Sequence, residues 1–190
     1  MNVLVAGHSF VRRLAFDVRV RNLDFQTPGV SVVLEGKGGA TIGGPKPIDR
    51  EVAACFRKDK FKFLILDLGS NDLDPIRHPN WDIERLAGAY VRKAADFVQK
   101  FGIKVVLCLP IPRCEAQFPG SFDRTVQFNQ IVTDLAKSEN KVFTWAHKGL
   151  FKKDGGLLHK DGVHLNARGS IRYFHSLKAA IHFHLNKFSD

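Results

Sequence analysis

Five short apolar runs constrain the fold of this chain more than any other feature: Val3–Ala6, Val30–Leu34, Phe63–Leu68, Val105–Leu109 and Val142–Trp145. Several are nearly continuous rather than alternating, so both faces of each strand require cover, as in a parallel sheet. The segments between them carry helical spacing. Ile83, Leu86, Tyr90, Ala94, Phe97 and Phe101 recur at steps of three or four and predict a long amphipathic helix, with Gly102 as its stop. Phe128, Ile131, Val132 and Leu135 make a second apolar face. Ile171, Phe174, Leu177, Ile181 and Leu185 make a third, and Asn166 stands where it would cap that last helix. Strands alternating with helices predict βαβ units with right-handed crossovers and helices on both sides of one sheet. A length of 190 residues suits one domain over 1–190, and no repeat, low-complexity tract or polar linker divides it.

Composition narrows the partners. Hydrophobic residues at 44% and charged residues at 25% are the balance of a globular chain in water. The start, Met1 to Ala6, has no basic region leading into a long apolar stretch, so it does not read as a secretory signal. No apolar run approaches the roughly 20 residues of a membrane span. Cys55, Cys108 and Cys114 are odd in number and irregularly spaced, which points to a reducing compartment, and an intracellular location (cytoplasmic or nuclear) is the expectation. The net charge of +10 favours contact with polyanions, either nucleic acid or an anionic surface. The excess is strongest over 141–190, with nine Lys/Arg against three Asp/Glu. The basic run Arg57–Lys62 reads more simply as a solvated helix end leading into a strand.

Four short segments carry the chemistry: Gly7-His8-Ser9, Gly38-Gly39-Ala40-Thr41, Gly69-Ser70-Asn71-Asp72 and Asp161-Gly162-Val163-His164. The first and third directly follow predicted strands and the second follows one closely. Open α/β folds gather such strand ends at their ligand site. A serine hydroxyl is a weak nucleophile until a base lies in reach and a third group orients that base. Ser9, His164 and Asp161 supply those three roles. A tetrahedral intermediate needs donors for its oxyanion, and the N–H groups of Ser9 and Gly39 and the side-chain amide of Asn71 are candidates. The GxSxG elbow is absent, because Gly7-His8-Ser9-Phe10-Val11 lacks its second glycine. Simpler roles compete: a helix cap for Ser9, turns for Gly39 and Asp161, a loop cap for Asn71. The Gly/Pro-rich stretch 36–47 reads as a site loop, and 110–120 as an irregular segment flanking the substrate. Arg12 and Arg13 follow Ser9 and either attract an anionic substrate or face water. His159, Asp161 and His164 imitate a metal cluster, but their spacing is not that of a HExxH helix, and no metal is expected.

The four segments together, in this order over residues 7–166, resemble the motif blocks of the SGNH (GDSL-type) hydrolase superfamily. The resemblance implies a three-layer α/β/α sandwich with a five-stranded parallel sheet, flavodoxin-like in layout. It also implies a catalytic Ser9, Asp161 and His164, an oxyanion hole of Ser9, Gly39 and Asn71, and ester hydrolysis without metal or cofactor. His8 departs from the family pattern, which places an aspartate before the serine. Asp67 nears the end of the third strand, which in such folds lies beside the first, and is placed to pair with His8. The Gly-His-Ser-Phe start and the basic character also resemble esterase domains in the first open reading frames of some vertebrate LINE-type retrotransposons and related animal proteins. Two functions follow as expectations: a serine esterase for short acyl groups such as acetate, or a binding module for nucleic acid or anionic surfaces that keeps the hydrolase fold.

Overall fold

In the computed structural model, which describes residues 1–21, 23–25, 28–153 and 156–187, all five apolar runs become strands of one sheet. The chain order is β1 (Asn2–Gly7), α1 (Ser9–Arg21), β2 (Ser31–Gly36), α2 (Asp49–Lys58), β3 (Phe63–Asp67), α3 (Ile83–Phe101), β4 (Lys104–Leu109), α4 (Ser121–Ala136), β5 (Val142–Ala146) and α5 (Ala167–Lys187). Every pairing is parallel and the spatial order is β2-β1-β3-β4-β5. The strand order reverses between β1 and β3, which is where such sheets open a crevice at their carboxyl ends.

Alternation along each strand divides the interior in two. Leu4, Ala6, Leu64, Leu66, Val105 and Leu107 point to one side and pack with Val52 of α2, Tyr90, Ala94 and Phe97 of α3, and Phe128 and Val132 of α4. Val3, Val5, Phe63, Ile65, Val106 and Cys108 point to the other and pack with Val11 and Leu14 of α1 and Tyr173, Phe174 and Leu177 of α5. The central strands are therefore buried on both faces, which is why their sequences show no polar alternation.

The predicted boundaries hold within about two residues, and the deviations have causes. The third strand was expected to reach Leu68 but ends at Asp67, because the Leu68 N–H turns from the ladder to the Tyr90 hydroxyl at 3.2 Å. The second begins at Ser31 and runs on to Gly36, which sits beside Gly7. Helix α3 starts where Asp82 accepts the Arg85 N–H at 2.9 Å, and it stops at Gly102 with φ +67°. Asn166 accepts the Gly169 N–H at 2.9 Å and caps α5 as its position predicts. No described helix is long and apolar enough to cross a membrane.

Candidate active site

The end of β1 places the first motif. Gly7 stands beside Asp67 of β3, the strand ends there, and Ser9 is the first residue of α1. His8 is buried between strand and helix. Its Nδ1 accepts the N–H of Phe10 at 3.3 Å, which satisfies one of the free donors of the helix start. That leaves Nε2 facing Asp67, 3.5 Å from Oδ1, so the pairing expected from the sequence is present as a buried side-chain contact. Asp67 also accepts a hydrogen bond from the Tyr173 hydroxyl. Burial pushes the Asp67 carboxyl up, but His8, the nearby His147 and the Tyr173 hydroxyl outweigh it and hold the group below its ordinary range. His8 thus joins the start of α1 to the carboxylate that ends β3.

The glycine segment is stitched to the end of β3. Asn71 donates from Nδ2 to the carbonyl of Ala40 at 2.9 Å, and Asp72 accepts the Ile42 N–H with its two oxygens at 3.0 and 3.2 Å. Asp72 is buried, and that burial pushes its carboxyl up to about 6. Gly39 has φ +74°, a conformation that side-chain-bearing residues seldom adopt. Two adjacent residues of one motif therefore fix the loop that holds another. The Asn71 amide also has a second N–H that the Ala40 carbonyl does not use.

One tight turn carries both the imidazole and its orienting acid. Asp161 Oδ1 accepts the N–H groups of Val163 and His164, each at 2.9 Å, and Oδ2 lies 2.7 Å from His164 Nδ1. An ionised carboxylate only accepts, so Nδ1 is the donor and Nε2 is left free. Partial burial pushes Asp161 up, but the two backbone N–H groups and the imidazole together hold it well below the usual carboxylate range. Gly162 has φ +67°, and a Cβ there would meet the Gln117 side chain and lie 3.1 Å from Cys114 Cβ. The segment after β4 braces this turn: the Cys114 N–H donates to Gly162 O at 2.9 Å and Gln117 Nε2 to Lys160 O at 3.2 Å.

These pieces line one cleft of about 480 Å³ at the carboxyl edge of the sheet. Ser9, Gly38, Gly39, Asn71, Asp161, Val163 and His164 all face it, as do Arg12, Arg13, Arg77 and Arg113. Every residue nominated from the sequence is present. Among the described residues the Ser9 hydroxyl has no hydrogen bond to His164; such contacts often tighten only with substrate in place. Arg113 and Asp74 were missed. Arg113 donates from Nη1 to Asp74 Oδ2 at 2.6 Å and from Nη2 to Ser70 O at 3.2 Å, while being only 6% exposed. Its position just past a strand end, in a segment expected to flank the substrate, was the available signal.

The fold has counterparts among solved structures. An acetyl xylan esterase superposes with a TM-score of 0.72 at 20% identity, covering 95% of this chain and 100% of the other. A carbohydrate acetylesterase family member from Sinorhizobium meliloti gives 0.69 at 16% identity over 98% and 100%. A carbohydrate esterase family 3 structure from Talaromyces cellulolyticus gives 0.67 at 17% identity over 98% and 99%. At such identities the likeness is one of fold. No curated protein sequence matches the chain. The sequence itself matches the GDSL-like lipase/acylhydrolase profile from residue 5 to residue 170, a span that holds Ser9, Gly39, Asn71, Asp161 and His164, and the chain belongs to that family.

Proposed function

We propose that the protein is a serine esterase for short acyl groups, working through an acyl-Ser9 intermediate. The single observation that carries this is the Asp161–His164 contact of 2.7 Å on the same cleft as Ser9, Gly39 and Asn71. With Nδ1 held by Asp161, His164 Nε2 takes the proton as Ser9 Oγ bonds to the ester carbonyl carbon. Negative charge moves to the carbonyl oxygen, where the N–H groups of Ser9 and Gly39 and the free N–H of Asn71 receive it. Collapse breaks the bond to the alcohol, which leaves with the proton from His164. Water, deprotonated by His164, then releases the acid and restores Ser9. The short acyl preference is supported by the lining: among the described cleft residues Val163 is the one aliphatic side chain, which leaves no apolar groove for a long chain.

The test is turnover of p-nitrophenyl acetate, butyrate and octanoate by the protein and by Ser9→Ala. Activity that falls with chain length and disappears in Ser9→Ala is expected. Unchanged activity in the variant would exclude the mechanism. Labelling by a fluorophosphonate, with the adduct mapped to Ser9, reports nucleophile activation independently of substrate choice.

A second reading, a polyanion-binding module on the hydrolase fold, is favoured by one feature. Lys62, Lys104 and Lys141 border a hollow of about 780 Å³ that also includes the start of β3, at the opposite end of the sheet from the site. Binding to a single-stranded oligonucleotide should then weaken steeply as salt rises.

A further inference from the structure

We propose, resting on the esterase reading above, that the natural substrate carries an anionic group on its alcohol portion, bound by the arginines of the cleft. Four guanidinium groups, Arg12, Arg13, Arg77 and Arg113, line the space that holds Ser9 and His164. Two carboxylates answer them. Asp74 is shared by Arg113 at 2.6 Å and Arg77 at 3.4 Å, and Asp161 is engaged by His164. Four cations against two carboxylates leave an excess of two. Among the described residues no carboxylate pairs with Arg12 or Arg13.

Arg12, Arg13 and Arg77 are exposed, but two placements tie the group to the site. Arg113 is 6% exposed and its Nε is buried without a partner, so it is not a solubilising side chain. Arg12 lies against the oxyanion loop: a Cβ on Gly38 would stand 2.9 Å from its Nη1. Lys46 is close behind, with Nζ 3.6 Å from a Cβ on Gly39. An acetyl group occupies only a small part of a cleft of about 480 Å³, so the alcohol portion is what meets these side chains. Guanidinium groups recognise carboxylate, phosphate and sulfate by paired N–H donors, and a cleft lined by one sign of charge concentrates the opposite one.

The experiment compares three aryl acetates: methyl 4-acetoxybenzoate, which is neutral, 4-acetoxybenzoate, and 4-acetoxyphenyl phosphate. Each is cleaved by water to acetate and the corresponding phenol. The neutral phenol is the better leaving group, so a preference for an anion belongs to the enzyme. The expected result is a kcat/KM for at least one anionic ester on the order of tenfold or more above the methyl ester, expressed mainly in KM and shrinking as salt rises. Comparison of the two anions tells a carboxylate site from a phosphate site. In the double variant Arg12→Gln, Arg13→Gln the ratio should fall towards one. The ratio is read within each protein, so a general loss of fold does not imitate this. Anionic esters no better than the methyl ester, or a ratio that survives in the double variant, overturns the proposal. Absence of any Ser9-dependent turnover overturns the esterase reading instead. In that case calorimetric binding of 4-hydroxybenzoate against its methyl ester still decides the anion site, with tighter binding of the anion upholding it and equal binding ending it.

Discussion

Asn71 shows how one side chain serves both architecture and chemistry. One amide N–H holds the Ala40 carbonyl and thereby the glycine loop; the other is the proposed oxyanion donor. Asn71→Ala should lower kcat for p-nitrophenyl acetate by about 10²–10³-fold, the usual effect of losing one such donor. Asp72, its neighbour, gives a stability prediction. Its folded pKa of about 6 lies above the ordinary aspartate value near 3.9, so the folded protein binds this proton more tightly than the unfolded chain. Its contribution is complete below about pH 4 and is lost as pH rises through about 6. Asp72→Asn still accepts from Ile42 and has no charge to bury. Its urea stability should therefore stay level between pH 4 and pH 8 where the parent declines, a gap on the order of 1–3 kcal/mol at pH 8. Parallel pH curves for the two proteins would rule this out. The residues proposed as nucleophile, base, acid and oxyanion donors were nominated from short motifs, and the fold brings them to one cleft. The occupant of position 8 was legible as a departure and its pairing with Asp67 was expected from the neighbouring strands, but its contact with the Phe10 N–H and the part of Tyr173 were not.

Between elements, single side chains tie strands to helices. The Tyr90 hydroxyl on α3 donates to Leu66 O at 2.6 Å, lies 3.2 Å from Cys108 O, and accepts the Leu68 N–H at 3.2 Å. It thus ties the carboxyl ends of β3 and β4 together. Tyr90→Phe leaves those buried backbone groups unpaired and should cost about 1–3 kcal/mol in urea unfolding with an unchanged m-value. The Asp161 turn depends on the segment after β4. Gly162→Ala forces a side chain into a left-handed position and against Cys114, so it should destabilise by about 1 kcal/mol or more. It should also reduce kcat by displacing Asp161 and His164 together; retention of full activity would show that the turn is not braced in this way. Helix α3 was readable from end to end because its apolar spacing, its N-cap acid and its stop glycine agree. Helix α2 was read only at its basic end, although its apolar and polar residues are well segregated; it is short and Val52 is its one fully buried residue.

Across the molecule, Asp67 joins the two halves of the fold. It ends the central strand, faces His8 at the nucleophile turn, and receives the hydroxyl of Tyr173 from the last helix. Its folded pKa is held below the unfolded value, so its contribution is present above about pH 4 and is lost as pH falls through the lower folded value. Tyr173→Phe removes one of the groups holding it there, and the midpoint of acid unfolding followed by circular dichroism should move to higher pH. A midpoint that does not move would place the anchoring of Asp67 in the histidines alone. The α/β/α layering, the strand positions and the residues that gather at the cleft were all accessible from the chain read as letters, because hydrophobic period and turn chemistry act over a few neighbours. The strand order and the company each buried charge keeps were settled by packing. Arg113 meets Asp74 across 39 residues, and Tyr173 meets Asp67 across 106. Such partners are chosen by register and burial, since a charge removed from water must find whatever counter-group the folded sheet brings beside it.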